Sequence, residues 1–134
     1  MAFQFSVAAR NAALDSIETA IGTAPTLTIR SGAAPVDCAT ADSGTVLATV
    51  VLPADWLAAA AAGAKAILGG PWQDAAADAT GTAAHWRVKQ GVTCHIQGTC
   101  TATGGGGDMQ LDSVSIVAGQ QINVTAFTLT AGGA

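Results

Sequence analysis

Cys94 and His95, followed by Cys100, supply with Cys38 and His85 the residue types of a zinc site. Their spacing argues against one. On an extended strand Cys94 and Cys100 point to one face and His95 to the other, and six residues put the two sulfurs roughly 20 Å apart. Zinc would need a hairpin turn at Gly98; the plainer reading is two small thiols in a core. A cysteine or serine nucleophile needs a base and an orienting carboxylate around it. Cys94 beside His95 is adjacency in sequence only, and there is no Gly-x-Ser-x-Gly. Asp37 with Asp42, and Asp74 with Asp78, are the loop carboxylates from which glycoside hydrolysis or calcium binding would have to be built. Loop aspartates more often close Asx-turns, and no Asp-x-Asp-x-Asp-Gly pattern occurs. Gly104–Gly107 opens no helix and precedes no Gly-Lys-Ser/Thr, so a phosphate cradle is unsupported and a flexible hairpin loop is expected. No catalytic, cofactor-binding or metal-binding residue is assigned, and a non-enzyme without cofactor is expected.

Two further groups concern binding. His85, Arg87 and Lys89 form a basic stripe, either a solvated strand face or a docking stripe for an acidic partner. Nucleic acid is not expected, because no aromatic interleaves on that face and the chain carries a net charge of −4. Trp86 shares its face with Ala84 and Val88 and belongs to a core. Trp56 and Trp72 stand near prolines at strand–loop boundaries, where an indole can serve the core, a protein interface or a sugar-stacking platform.

The elements that must position these groups begin with an extended arm, Met1–Phe5, in which Phe3 and Phe5 alternate with polar neighbours. Ser6 is the N-cap of a helix over Val7 to Ile21, which Gly22 stops and Pro25 keeps from resuming. Val7, Leu14, Ile17 and Ile21 define its apolar face, with Arg10, Asp15 and Glu18 away from it. Thr26–Arg30 alternates as a strand with Leu27 and Ile29 inward. Thr45–Leu52 is apolar on both faces and is expected as a central strand, broken by Pro53-Ala-Asp55. The alanine run Ala58–Ala62 predicts a short helical turn, Lys65–Leu68 a short strand, and Trp72–Gly81 an irregular stretch.

Ala84, Trp86 and Val88 alternate with His85, Arg87 and Lys89 in an amphipathic strand. Thr93–Thr103 is another, with Cys94, Ile96, Gly98 and Cys100 on one face. Met109–Leu111 and Val114–Ile116 are short strand pieces. In Gln121–Thr130, Ile122 and Val124 sit on one parity and Phe127 and Leu129 on the other, so a β-bulge near Ala126 or a strand buried on both faces is expected. The sum is an all-β protein: a jelly-roll-like β-sandwich (23–134) behind one N-terminal α-helix with its arm (1–22), one domain overall.

Only 14 of 134 residues are charged, with a single glutamate and 31 alanines. Soluble domains carry roughly a quarter charged residues, so much of this surface is expected to face partners rather than water. The mean hydropathy of +0.43 comes mostly from alanine. Leu57–Leu68 is interrupted by Gly63 and Lys65 and is too short to span a bilayer, so no membrane association is expected. The start lacks a basic region followed by a continuous apolar one; folding in the cytoplasm and free thiols are expected, with a later Cys38–Cys94 or Cys94–Cys100 bridge left open.

Several strings resemble a family of small virion proteins encoded among the head genes of tailed bacteriophages. They are the helix Ala8–Gly22, Leu27-Thr-Ile-Arg-Ser-Gly-Ala-Ala-Pro35, Leu52-Pro-Ala-Asp-Trp56, Thr93-Cys-His-Ile-Gln-Gly98, Thr103–Met109 and Phe127–Ala131. The similarity covers nearly the full chain. It implies a capsid cement, or decoration, protein on the outside of the head, with the major capsid protein and further copies of itself (a dimer or trimer) as partners. The rival is a tail or baseplate module binding a host-surface glycan. Interface candidates are Phe3, Phe5, Arg10, Leu14, Trp56, Trp72, Arg87 and Lys89.

Overall fold

The computed structural model describes residues 3–132; Met1 and Ala2 of the expected arm lie outside them. The fold is β-rich with one helix. Helix α1 (Val7–Ile21) starts and stops where its caps predict: the Ser6 hydroxyl accepts the Ala9 N–H, and Gly22 takes φ 93°. Its seam differs from the expected one. Leu14 and Ile21 are buried, but Val7 and Ile17 face solvent at 48% and 38% exposure. Polar residues flank Leu14 on the packed face instead, because Asn11, Leu14, Asp15 and Glu18 follow the i, i+3, i+4, i+7 spacing of a single face.

That face sits on a hairpin around β3 (Ala64–Ala66), not on the helical turn expected for Ala58–Ala62. Ala61 and Ala64 exchange both backbone hydrogen bonds, with Ala62 and Gly63 at φ 52° and 75°. These signs fit the tight two-residue turn that matches strand twist. Helix propensity loses here because the helix itself supplies partners to the hairpin. The Asn11 side chain accepts the Gly63 N–H, and the Asp15 carboxylate accepts that of Ala60.

The strands β1 (Thr26–Ser31), β2 (Val46–Val51), β5 (Gly81–Gln90), β6 (Thr93–Ala102), β7 (Met109–Leu111) and β9 (Ile122–Thr130) join β3 in the order β2-β1-β5-β6-β7-β9-β3. The short β4 (Gln73–Asp74) pairs with β9, and β8 (Ser115–Ile116) with β5. β2 thus ends the order rather than sitting at its centre. Its outer edge is covered: the Asp74 carboxylate accepts the Thr49 N–H, and the Asp78 N–H donates to the Leu47 carbonyl. Edge groups left open would invite pairing with another chain.

β1 and β5 are buried on both faces. On one, Leu27 faces Val88 and Ile29 faces Trp86. This apolar layer continues through Trp86, Phe127, Trp72 and Trp56, whose successive ring centroids lie 5.3, 5.6 and 6.1 Å apart. On the other, Thr28 faces Arg87 and Arg30 faces His85. The bulge expected near Ala126 is present: Gln110 pairs with Ala126 and Leu111 with Val124, leaving Thr125 as the extra residue.

β6 and β7 are parallel neighbours, although only residues 103–108 connect them, where such a crossover usually takes a dozen or more. The glycine run is therefore a packed return, not a flexible hairpin loop. A Cβ on Gly105 or Gly107 would lie 2.7 or 2.9 Å from Thr101 atoms, so the connection can fold flat over β6 only without side chains.

Candidate functional site

The basic stripe of β5 is neither solvated nor free for docking. His85 and Arg87 are 0% and 1% exposed, because residues 32–45 fold over this face. The loop is fixed chiefly by Arg87. Its guanidinium donates to the backbone carbonyls of Asp37 and Thr40 at 2.9 Å, to Gln97 Oε1 at 2.9 and 3.1 Å, and to Asp42 Oδ1 at 2.6 Å. Arg30 and Lys89 reach Asp42 Oδ2 at 3.1 and 2.5 Å. The Gln97 amide donates to the Pro35 carbonyl, and His85 Nδ1 meets the Gly32 carbonyl at 2.8 Å.

A Cys38–Cys94 disulfide closes the same loop onto β6, correcting the expectation of free thiols. The reason lies in one residue. Val88 pairs with Ile96 but Lys89 pairs with Cys94, so His95 is an extra residue in β6. A one-residue slip moves a side chain to the opposite face. Cys94 thereby leaves the face of Ile96 and Cys100 and joins that of Lys89, beneath the loop that carries Cys38. Cys100 stays in the apolar layer, where burial pushes its thiol up to about 11; protonated at neutral pH, it is a poor partner for exchange.

Asp42 gathers three cations on one carboxylate. The Lys89 and Arg87 hydrogen bonds, with the nearby Arg30 charge, outweigh desolvation and hold its pKa at about 2 against the usual 3.8. A carboxylate depressed on folding contributes stability above the usual value that is lost as pH falls through the folded one. The loss should therefore fall between pH 3.8 and about 2 and amount to about 1 kcal/mol after allowance for solvent screening. Asp42→Asn should remove that component of an acid titration of the melting temperature; an unchanged slope would count against the assignment. Asp37, by contrast, is held low by the Thr40 hydroxyl and N–H within its own turn, the Asx role its loop position suggests.

A second charged group joins helix to hairpin. Lys65 is 2% exposed, with its amine 2.5 Å from Asp15 and 2.7 Å from Glu18. Burial alone would lower its pKa, yet the bonds to Asp15 and Glu18 prevail and raise it. The sequence assigns Asp42 only to a loop carboxylate pair, with an Asx-turn as the plainer role, and gives Lys65 no role. For Lys65 the available signal was Asp15, Glu18 and Asn11 on one helical face.

Trp56 and Trp72 are 0% and 1% exposed, and all three indoles donate to backbone carbonyls inside the fold, those of Gly22, Leu68 and Thr99. Neither Trp56 nor Trp72 can stack on a sugar or meet a partner from there. Leu14 is likewise buried, and Lys89 is committed to Asp42. Of the expected interface residues, Phe3 and Phe5 are open at 91% and 58%. Arg10 is half-buried, with its guanidinium against Gly63. Phe5, Ala9, Arg10, Ala13, Ala131 and Gly132 together line a shallow apolar groove at this end of the molecule.

Among the described residues no three of His, Cys, Asp and Glu converge where a metal ion could sit, and no helix is long and apolar enough to cross a membrane. No family model, curated protein or solved structure matches the chain.

Proposed function

We propose that this chain is a bacteriophage capsid cement, or decoration, protein: a non-enzymatic, jelly-roll-like structural protein seated on the outside of the head. In this reading it binds the major capsid protein and further copies of itself and stabilises contacts between capsid subunits. The observation that carries the reading is the exposure of Phe3 and Phe5, with Val7 and Ile17 of the helix also turned to solvent. Two phenylalanines on an extended arm gain little from water and much from burial against a partner. Binding that exists only in the assembled shell adds free energy to that state alone, and repetition over a lattice multiplies weak contacts. The charge poverty supports the same reading. The glycan-binding alternative has lost its platform with Trp56 and Trp72 inside the core.

Deleting residues 1–5 should leave the thermal melt within about 1 kcal/mol of the intact chain, since Phe3 and Phe5 are open to solvent, and should strip the protein from purified particles. Unchanged occupancy by quantitative mass spectrometry would overturn the arm's role. A copy number matching tail components rather than major capsid protein would overturn the cement reading itself.

A further inference from the structure

β7 has three residues, whereas its neighbours β6 and β9 have ten and nine. It fills the space between them only where Cys100–Ala102 and Val124–Phe127 face it. Before Met109, β6 from Thr93 to Thr99 has ladder partners on β5 alone, and β9 from Thr128 to Thr130 has them on β3 alone. The glycine return explains the gap: the chain that would extend β7 is folded back onto Thr101 instead.

What remains is a slot, a cleft of about 250 Å³ whose lining includes Trp86, Ile96, Phe127 and Leu129, with Asp108 at the end nearest β7. Asp108 Oδ2 accepts the Thr99 N–H at 3.0 Å and the Thr99 hydroxyl at 3.1 Å, standing in for the carbonyl of a missing strand. Two residues earlier on the same edge, the Gln97 N–H faces the slot by strand alternation.

We propose that this slot receives the extended arm, Phe3–Ser6, of a second copy, which completes the sheet between β6 and β9. Facing strand edges select an extended chain by its backbone, and apolar walls select side chains at every second position. The arm meets both requirements, since it lies outside any helix or strand and carries Phe3 and Phe5 two residues apart, both open to solvent. Within its own copy Phe5 lines a separate groove together with Ala9, Ala13 and Ala131. Exchange of an identical element between copies needs no new surface. The inference rests on the self-association named in the proposed function and gives it a site; it is tested on the free chain without capsid, so its failure leaves capsid attachment to be judged by occupancy on particles.

The test compares the full chain with its Phe3→Ser/Phe5→Ser variant by sedimentation and by amide hydrogen exchange. The full chain should associate with rising concentration, and exchange at Gln97 should slow by about tenfold or more as it does. The variant should remain monomeric, with Gln97 exchanging rapidly at every concentration. A synthetic peptide of residues 1–8 added to the variant should restore the slow exchange. A full chain that stays monomeric, protection at Gln97 independent of concentration (the copy's own arm in the slot), or association that survives in the variant would each overturn the proposal.

Discussion

Reduction of the Cys38–Cys94 bridge, or replacement of both cysteines by serine, should lower the unfolding free energy by about 4 kcal/mol. The figure follows from chain entropy: the bridge ties residues 56 apart in sequence, and cross-linking a loop of that length strongly restricts the unfolded ensemble. Against typical total stabilities of about 5–15 kcal/mol, such a loss would leave the domain marginal. Urea unfolding with and without a dithiol reductant measures it directly. Cys100→Ser should leave the difference between oxidised and reduced forms intact, because the Cys100 thiol is buried and takes no part in the bridge. A shift below about 1 kcal/mol on reduction would mean that the bridge adds little beyond the polar contacts holding the same loop.

Replacing Arg87 with Met should cost about 3–5 kcal/mol, the range for removing one partner of a buried charged network. The methionine fills much of the space, so the loss is mainly of donors. The carbonyls of Asp37 and Thr40 and the Gln97 Oε1 would each lose the guanidinium, while Asp42 keeps Arg30 and Lys89. Arg87→Lys should recover little, because one ammonium cannot span acceptors arranged around a planar fork. Urea midpoints for the two variants check this; a lysine variant as stable as the parent would show that charge alone suffices. Arg87 and the disulfide fix the same loop, so their losses should not add. Once residues 32–45 are released by reduction, less remains for Arg87 to hold, and a double-mutant cycle should give a combined loss smaller than the sum.

These two constraints mark the limit of what was legible beforehand. The basic stripe of β5 was correctly placed on one face, since alternation alone decides that. Whether the face met water depended on a loop about fifty residues away in sequence, whose route no local pattern encodes. The disulfide was hidden by the extra residue His95: strict alternation puts Cys94 with Ile96 and Cys100, and the bulge reverses it. Trp56 and Trp72 were equally open to core and interface readings, because a proline nearby marks the end of a strand without showing what lies across from the indole. Hydrophobicity alone does not locate the helix seam, because Asn11, Asp15 and Glu18 face the hairpin and meet Lys65 and its N–H groups.

The sequence by itself determined the helix and both its caps, the main alternating strands, the inward Leu27, Ile29, Trp86 and Val88, and the change of phase before Phe127 that the structure resolves as a bulge. Each depends on dihedral preferences and side-chain periods within a few residues. Only the tertiary structure decided which faces are covered, that Cys38 meets Cys94, that Asp42 gathers Arg30, Arg87 and Lys89, and that a slot stays open between β6 and β9. Those outcomes come from register and chain crossing, where one inserted residue or one glycine-lined return redirects everything packed against it.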